Sequence, residues 1–110
     1  MIRNVTPKQA HELLAARAVH VVDVRDPGEW ATGHIAGATL CPLEQLRKNP
    51  NAALPDDNVL LVCAAGVRSQ TAARVAAGLG LKNVYSLMGG TRGWAKAGYE
   101  LVTDELAVAV

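Results

Sequence analysis

The chain has 110 residues, enough for one domain with one hydrophobic core but too few for two domains of ordinary size. Eleven basic residues against ten acidic ones leave a net charge of +1, so we expect neither nucleic acid nor a membrane surface as a partner. Half of the residues are hydrophobic and none is Phe, which favours an α/β core built from small aliphatic side chains.

The first third of the chain alternates helix and strand signals. Thr6-Pro7-Lys8-Gln9 is typical of a helix start, because Thr6 can cap the helix and Gln9 can close a capping box. The β-branched run from Val19 to Val24 predicts a buried strand. Asp26-Pro27-Gly28-Glu29 repeats the helix-start pattern and predicts a short helix that carries Trp30.

The middle of the chain predicts two short elements. Gly33 and Gly37 mark turns, and Ala38 to Cys41 reads as a short strand that Pro42 ends. One or two helical turns from Leu43 should then stop at Asn49-Pro50-Asn51.

The second half contains the clearest strand and the longest helix. Val59 to Val62 predicts a fully buried strand, and a helix is expected from Ser69 until Gly80 ends it. Val84 to Leu87 predicts another strand, and Thr91 to Ala97 a last helix that buries Trp94. Strands that alternate with helices predict a single α/β domain over residues 1–110, with a mostly parallel sheet covered on both faces.

Cys63 stands between the buried strand and the helix, where ligands bind in open α/β sheets. The helix dipole and free backbone N–H groups favour a negative charge there, and Arg68 adds a fixed positive charge. Gly66 supplies the backbone freedom that a tight loop needs. Such surroundings lower the pKa of a thiol and create a thiolate nucleophile. The alternative is that Cys63 is a buried core cysteine.

Three stretches together resemble the signature motifs of rhodanese-like domains. The first runs from Val22 to Trp30 and continues through Gly33-His34-Ile35-Ala36-Gly37-Ala38. The second is Cys63-Ala64-Ala65-Gly66-Val67-Arg68-Ser69, which looks like the active-site loop of that family. The third comprises Gly89-Gly90, Gly93-Trp94 and Ala97-Gly98-Tyr99. The resemblance covers residues 5–99 and leaves a tail at 103–110.

The resemblance implies a five-stranded parallel sheet and a sulfurtransferase that carries a sulfane sulfur as a persulfide. Cys63 would then be the nucleophile and Arg68 the anion-binding residue. The backbone amides of the loop would cradle the sulfur, and they belong to Ala64, Ala65, Gly66, Val67, Arg68 and Ser69. Supporting roles, mainly structural, are expected for Asp23, Arg25, Glu29 and His34.

Within that supporting group we expect an ion pair between Arg25 and Glu29. His34 is expected to be a turn residue hydrogen-bonded near the site, and both tryptophans are expected in the core.

Two positions depart from the family pattern. Many thiosulfate-using members have a basic residue directly after the catalytic cysteine, where this chain has Ala64. The substitution removes one positive charge and puts thiosulfate in doubt as the natural donor. Where the family often has Asn before Ile-Pro or Val-Pro, this chain has Leu40-Cys41-Pro42, and Cys41 is either a small buried filler or a resolving thiol.

Three other function classes compete with sulfur transfer. Tyrosine and dual-specificity phosphatases need five residues between cysteine and arginine, whereas this loop has four, and arsenate reduction meets the same objection. A non-catalytic rhodanese-like binding or regulatory module is the remaining alternative, and the presence of both Cys63 and Arg68 argues against it.

The expected partners are a small sulfur donor and a thiophilic acceptor such as cyanide, a thiol or a protein thiol. No cofactor is expected, and the histidines and cysteines lack metal-ligand spacing. Two cysteines are few for a secreted scaffold, and the N-terminal segment lacks the apolar stretch of a signal peptide, so we expect a cytoplasmic location. A monomer or weak homodimer is expected. Alternating Leu106, Val108 and Val110 suggest an edge strand, a packing arm or a dimer contact.

Overall fold

The computed structural model describes residues 2–103, so the alternating tail at Leu106, Val108 and Val110 lies outside the described residues. Five strands form the sheet: β1 (Ile2–Val5), β2 (His20–Asp23), β3 (Thr39–Leu40), β4 (Val59–Val62) and β5 (Val84–Leu87). Six helices connect or follow them: α1 (Pro7–Ala15), α2 (Pro27–Ala31), α3 (Leu43–Lys48), α4 (Pro50–Ala53), α5 (Arg68–Gly78) and α6 (Gly90–Lys96).

The strands lie in the order β1-β5-β4-β2-β3, and every neighbouring pair is parallel. β4 is therefore the central strand, and all four of its residues are buried. Parallel strands with helices on both faces bury both sides of the sheet, which explains why β4 reads as a continuous apolar run. The predicted single-domain α/β fold with a five-stranded parallel sheet is confirmed.

Side chains alternate along β4 between two hydrophobic clusters, one on each face of the sheet. Val59 and Leu61 join one cluster, which includes three alanines of α5 and Leu46 of α3. Leu60 and Val62 join the other, with Ala10 of α1 and Trp94 of α6. Small alanines let α5 pack closely on the sheet, so the helix that follows Cys63 is held firmly against β4.

Several local predictions are confirmed by the backbone. Thr6 and Gln9 form the capping box of α1, with Gln9 N donating to Thr6 Oγ1 at 3.2 Å and Thr6 N donating to Gln9 Oε1 at 2.9 Å. Asp26 and Glu29 make the same arrangement at the start of α2. The segment Asn49-Pro50-Asn51, by contrast, does more than end a helix as predicted. The helix α3 ends before Asn49, and Pro50 begins α4, because proline fits the first turn of a helix.

Candidate functional site

Cys63 directly follows the central strand and its side chain lies in the same cluster as those of Val59 and Leu61. The residue is 0% exposed. The loop from 64 to 67 leads into α5, which begins at Arg68, one residue earlier than predicted. The thiol thus sits at the carboxyl end of β4, in the middle of the sheet, with a helix start beside it.

Hydrogen-bond donors surround the sulfur of Cys63. The amide N of Gly66 donates to Sγ at 3.0 Å, and Ser69 Oγ lies 3.6 Å from Sγ. Gly66 has φ +99°, which L side chains rarely adopt, and a Cβ there would stand 3.2 Å from the amide N of Gly89. Only glycine lets the loop turn this amide onto the sulfur without strain.

A second buried hydroxyl extends the network around the thiol. Ser86 of β5 places its Oγ 2.8 Å from Ser69 Oγ, and both serines are almost wholly inaccessible to solvent. When Cys63 is a thiolate, Ser69 can donate its proton to the sulfur and accept one from Ser86. The pair therefore forms a short chain of donors that ends on the negative charge.

Two opposing effects set the pKa of Cys63. Burial disfavours the thiolate and would raise the pKa. Hydrogen bonds to the sulfur from the amide and hydroxyl of Ser69, and from the amides of Gly66 and Ala65, outweigh burial and hold the pKa below that of an ordinary thiol. The structure therefore provides the depressed thiol pKa that the sequence predicted, through amides more than through Arg68.

The start of α6 holds the loop from the other side. Thr91 N donates to the carbonyl of Cys63 at 2.8 Å, and Arg92 N donates to the carbonyl of Ala64 at 3.1 Å. Both carbonyls thus point towards α6, which leaves the loop amides free to face the sulfur. Gly90 makes this docking possible, because a Cβ at that position would lie 2.3 Å from Cys63 O.

Arg68 is held by Glu29 across the mouth of the loop. Arg68 Nη1 donates to Glu29 Oε1 at 2.7 Å and Nη2 to Oε2 at 2.9 Å, a bidentate pair that joins α5 to α2. The hydrogen bonds from Arg68 lower the pKa of Glu29 to about 2, and the same pair raises the pKa of Arg68 further. Anion binding by Arg68 stays a prediction, and it would use the guanidinium N–H groups that do not bind Glu29.

The ion pair predicted between Arg25 and Glu29 is wrong. Arg25 pairs instead with Asp23, its Nη2 lying 2.8 Å from Asp23 Oδ2, and donates to the carbonyls of Gly33 at 2.8 Å and Glu29 at 3.3 Å. Asp23 and Arg25 are both almost fully buried, and a buried guanidinium needs a counterion that is buried with it. The pair braces the turn around α2 and does not touch the sulfur.

His34 and Trp30 are in direct contact. Their rings stack with centroids 3.5 Å apart, and His34 Nδ1 lies 3.0 Å from the carbonyl O of Trp30. The backbone of His34 also pairs with Val102. His34 is therefore hydrogen-bonded, as predicted, but its backbone lies in a β-bridge and not in a turn. Trp30 is only half-buried and outside both core clusters, so its predicted core position is wrong, whereas Trp94 is buried as predicted.

Cys41 has the opposite environment to Cys63. It is buried among the apolar side chains of the same cluster, and burial raises its pKa. Both cysteines are free thiols. A thiol with a raised pKa is a poor nucleophile, so the structure favours the filler interpretation of Cys41 over the resolving thiol.

A cleft of about 490 Å³ opens beside the loop. Ala64 lines it together with Arg25 and Glu29 on one side and Thr91 and Arg92 of α6 on the other. The volume lies in the range of small-molecule sites. Val67 is 76% exposed, so its side chain points to solvent and not into the cradle.

Three residues of this arrangement escaped the sequence analysis. Ser86 could have been noticed as a polar residue within a strand expected to be buried. Gly90 was recognised only as part of a motif, without a role. Arg92 gave no signal, because its place in the cleft depends on how α6 docks. Within residues 2–103, no group of three or more acidic, histidine or cysteine side chains is arranged to hold a metal ion.

Replacing Glu29 by Gln should destabilise the domain by about 1 kcal/mol near neutral pH, because a partly exposed bidentate pair is lost. The pKa of Glu29 is depressed, so its stabilising effect is present above the ordinary value of 4.5 and disappears as pH falls towards about 2. Urea unfolding of both proteins from pH 7 to pH 3 should show the difference shrinking below pH 4.5.

Glu44→Gln is the matched control, since Glu44 pairs with Arg47 on the open surface. Its replacement should change the free energy of unfolding little at any pH. A Glu29→Gln penalty that stays constant between pH 7 and pH 3 would contradict the assignment.

Known proteins resemble this chain over most of its length. The rhodanese-like domain family matches residues 6–97. The chain belongs to the rhodanese-like family. The thiosulfate sulfurtransferase GlpE of Pseudomonas entomophila is 42% identical over 92 residues, which are 84% of each chain. The rhodanese-like chain is accordingly a rhodanese-type sulfurtransferase.

Two solved structures share its fold. The rhodanese-related protein of Thermoplasma volcanium superposes with a TM-score of 0.84 at 31% identity, over 93% of this chain and 99% of the other. A protein of unknown function from Rhodopseudomonas palustris, described as a possible tyrosine phosphatase, superposes with a TM-score of 0.79 at 31% identity. The match covers 92% of this chain and 85% of the other. No helix within residues 2–103 is long and apolar enough to cross a membrane.

Proposed function

We propose that this rhodanese-like domain transfers a sulfane sulfur through a persulfide on Cys63. The observation that carries the proposal is the set of donors around the sulfur, with the amide of Gly66 at 3.0 Å and the hydroxyl of Ser69 at 3.6 Å. These donors stabilise a negative charge on Cys63, and the same donors can stabilise the anion of a persulfide. Arg68, Ala64 and Val67 complete the loop that we propose as the binding site.

In the first step the Cys63 thiolate attacks the outer sulfur of the donor. With thiosulfate, the S–S bond of the donor breaks, sulfite leaves with the bonding electrons, and Cys63 holds a persulfide anion. In the second step cyanide or a thiolate attacks the outer sulfur. The Cys63 thiolate is then the leaving group, and thiocyanate or a new persulfide is released. No proton needs to be supplied from the domain in either step.

The donor is an anionic sulfane-sulfur compound such as thiosulfate or a small persulfide, and the acceptor is cyanide, a small thiol or a protein thiol. Both cysteines are free, which fits the reducing cytoplasm that we propose as the location. We propose a monomer or weak homodimer as the working form.

Mass spectrometry tests the persulfide directly. The reduced protein, exposed to thiosulfate and then measured intact, should gain the mass of one sulfur atom, and dithiothreitol should remove it. Peptide mapping after alkylation should locate the added sulfur on Cys63, because its pKa is depressed, and not on Cys41, whose pKa is raised. The Cys41→Ala protein should behave like the wild type.

Two outcomes would contradict the proposal. One is sulfur found on Cys41 alone. The other is no added sulfur with any sulfane-sulfur donor, accompanied by hydrolysis of aryl phosphates that Cys63→Ser abolishes. The second outcome would favour the phosphatase alternative, which the four-residue spacing between Cys63 and Arg68 argues against.

A further inference from the structure

The charges that line the cleft do not cancel. Arg25 is neutralised by Asp23 at 2.8 Å, and Glu29 is neutralised by Arg68 at 2.7 Å. Arg92 makes no side-chain hydrogen bond or ion pair within the described chain, and it is exposed to solvent. The cleft therefore carries one positive charge that residues 2–103 leave uncompensated.

The backbone of Arg92 is fixed beside the active-site loop. Its amide donates to the carbonyl of Ala64 at 3.1 Å, and Ala64 is the residue that directly follows Cys63. The backbone amide of the neighbouring Thr91 donates to the carbonyl of Cys63, and Thr91 also lines the cleft. A cation and a hydroxyl-bearing side chain thus stand on the cleft wall, on a helix that is bonded to the nucleophile's own backbone.

The position matters because Ala64 is small and uncharged. The chain lacks the basic residue that many thiosulfate-using relatives have directly after the cysteine, but Ala64 and Arg92 line the same cleft. A guanidinium presents several N–H donors in one plane and binds an oxyanion through two of them. The long side chain of Arg92 can therefore supply, from α6, the charge that position 64 lacks.

We propose that Arg92 is the residue that binds the oxyanion end of the sulfur donor and so selects anionic donors. This inference rests on the proposed function. The donor lies in the cleft with its sulfonate-type oxygens at Arg92 and its outer sulfur towards Cys63. When the S–S bond breaks, the departing group takes the electron pair, and Arg92 is placed to hold the resulting oxyanion, such as sulfite.

The test compares Arg92→Gln with Lys96→Gln. Lys96 lies on the same helix, is exposed, and does not line the cleft, so both variants lose one positive charge. Thiocyanate formation from cyanide is measured with two donors, the dianion thiosulfate and the monoanion methanethiosulfonate. For Arg92→Gln we expect kcat/KM for thiosulfate to fall about ten- to a hundredfold, through KM, with a smaller loss for methanethiosulfonate. Lys96→Gln should match the wild type.

Moving the charge provides the complementary test. The double variant Arg92→Gln/Ala64→Arg should recover much of the thiosulfate activity, because it returns a guanidinium to the same cleft. An Arg92→Gln protein that uses thiosulfate as well as Lys96→Gln does would overturn the proposal for Arg92 and leave the persulfide mechanism intact. A wild-type protein that turns over neither donor would overturn both.

Discussion

Replacing Cys63 by Ser is expected to abolish sulfur transfer to cyanide, with a loss of roughly a thousandfold or more. The serine hydroxyl keeps the position of the thiol but has no sulfur that could form the S–S bond of a persulfide. It also stays protonated at neutral pH, because the hydrogen-bond donors around position 63 cannot lower the pKa of a hydroxyl far enough. Thiocyanate formation at saturating donor measures the effect.

The control for this prediction is Cys41→Ser. Both changes replace a buried thiol by a hydroxyl in the same hydrophobic cluster, so they are similar tests of packing. Cys41→Ser should retain transfer, and circular dichroism should show that both variants are folded. Sulfur transfer at a near-normal rate by a folded Cys63→Ser protein would exclude Cys63 as the nucleophile.

Gly90→Ala should have the largest effect of any glycine-to-alanine change in this chain. The new Cβ would lie 2.3 Å from Cys63 O and 2.5 Å from Ala64 O, and φ at this residue is +59°. Backbone atoms cannot move aside as a flexible side chain can, so α6 must shift or the loop must deform. We expect a destabilisation of roughly 2–5 kcal/mol and a loss of most sulfur transfer even where the protein stays folded.

Gly78→Ala is the matched control for Gly90→Ala. Gly78 is the last residue of α5, and a Cβ there would meet nothing within 4 Å. Alanine at this helical position should stabilise the domain by about 0.5–1 kcal/mol and leave transfer unchanged. Thermal unfolding and thiocyanate formation, measured on both variants, separate the two cases. Equal stability of Gly90→Ala and Gly78→Ala would show that α6 does not dock on the loop as described.

The conformation of the loop after Cys63 could be predicted from sequence because its determinants are local. A buried strand, a cysteine, a glycine and a helix start follow one another directly, and backbone geometry alone then brings the amides to the sulfur. The partner of Arg25 could not be predicted in this way. Arg25 has carboxylates two and four residues away, and only burial of Asp23 beside it decides between them.

The first strand shows the other limit. Ile2–Val5 contains two exposed polar residues and no alternating apolar pattern, so nothing in its composition predicts a strand. It becomes one by pairing with β5, from Ile2 opposite Val84 to Val5 opposite Leu87. The short helix α4 was not predicted, because Asn49-Pro50-Asn51 indicates the end of a helix, whereas Pro50 begins α4 directly after α3 has ended at Lys48.

The docking of α6 on the loop has a consequence for the order of events during synthesis. Among the described residues, the carbonyls of Cys63 and Ala64 accept hydrogen bonds from the amides of Thr91 and Arg92, which the ribosome adds after the thiol itself. We therefore expect the loop after Cys63 to reach its described conformation only once α6 has been synthesised and has packed against it. We therefore expect a translation product that ends before Gly90 to lack the loop arrangement in which the pKa of Cys63 is lowered.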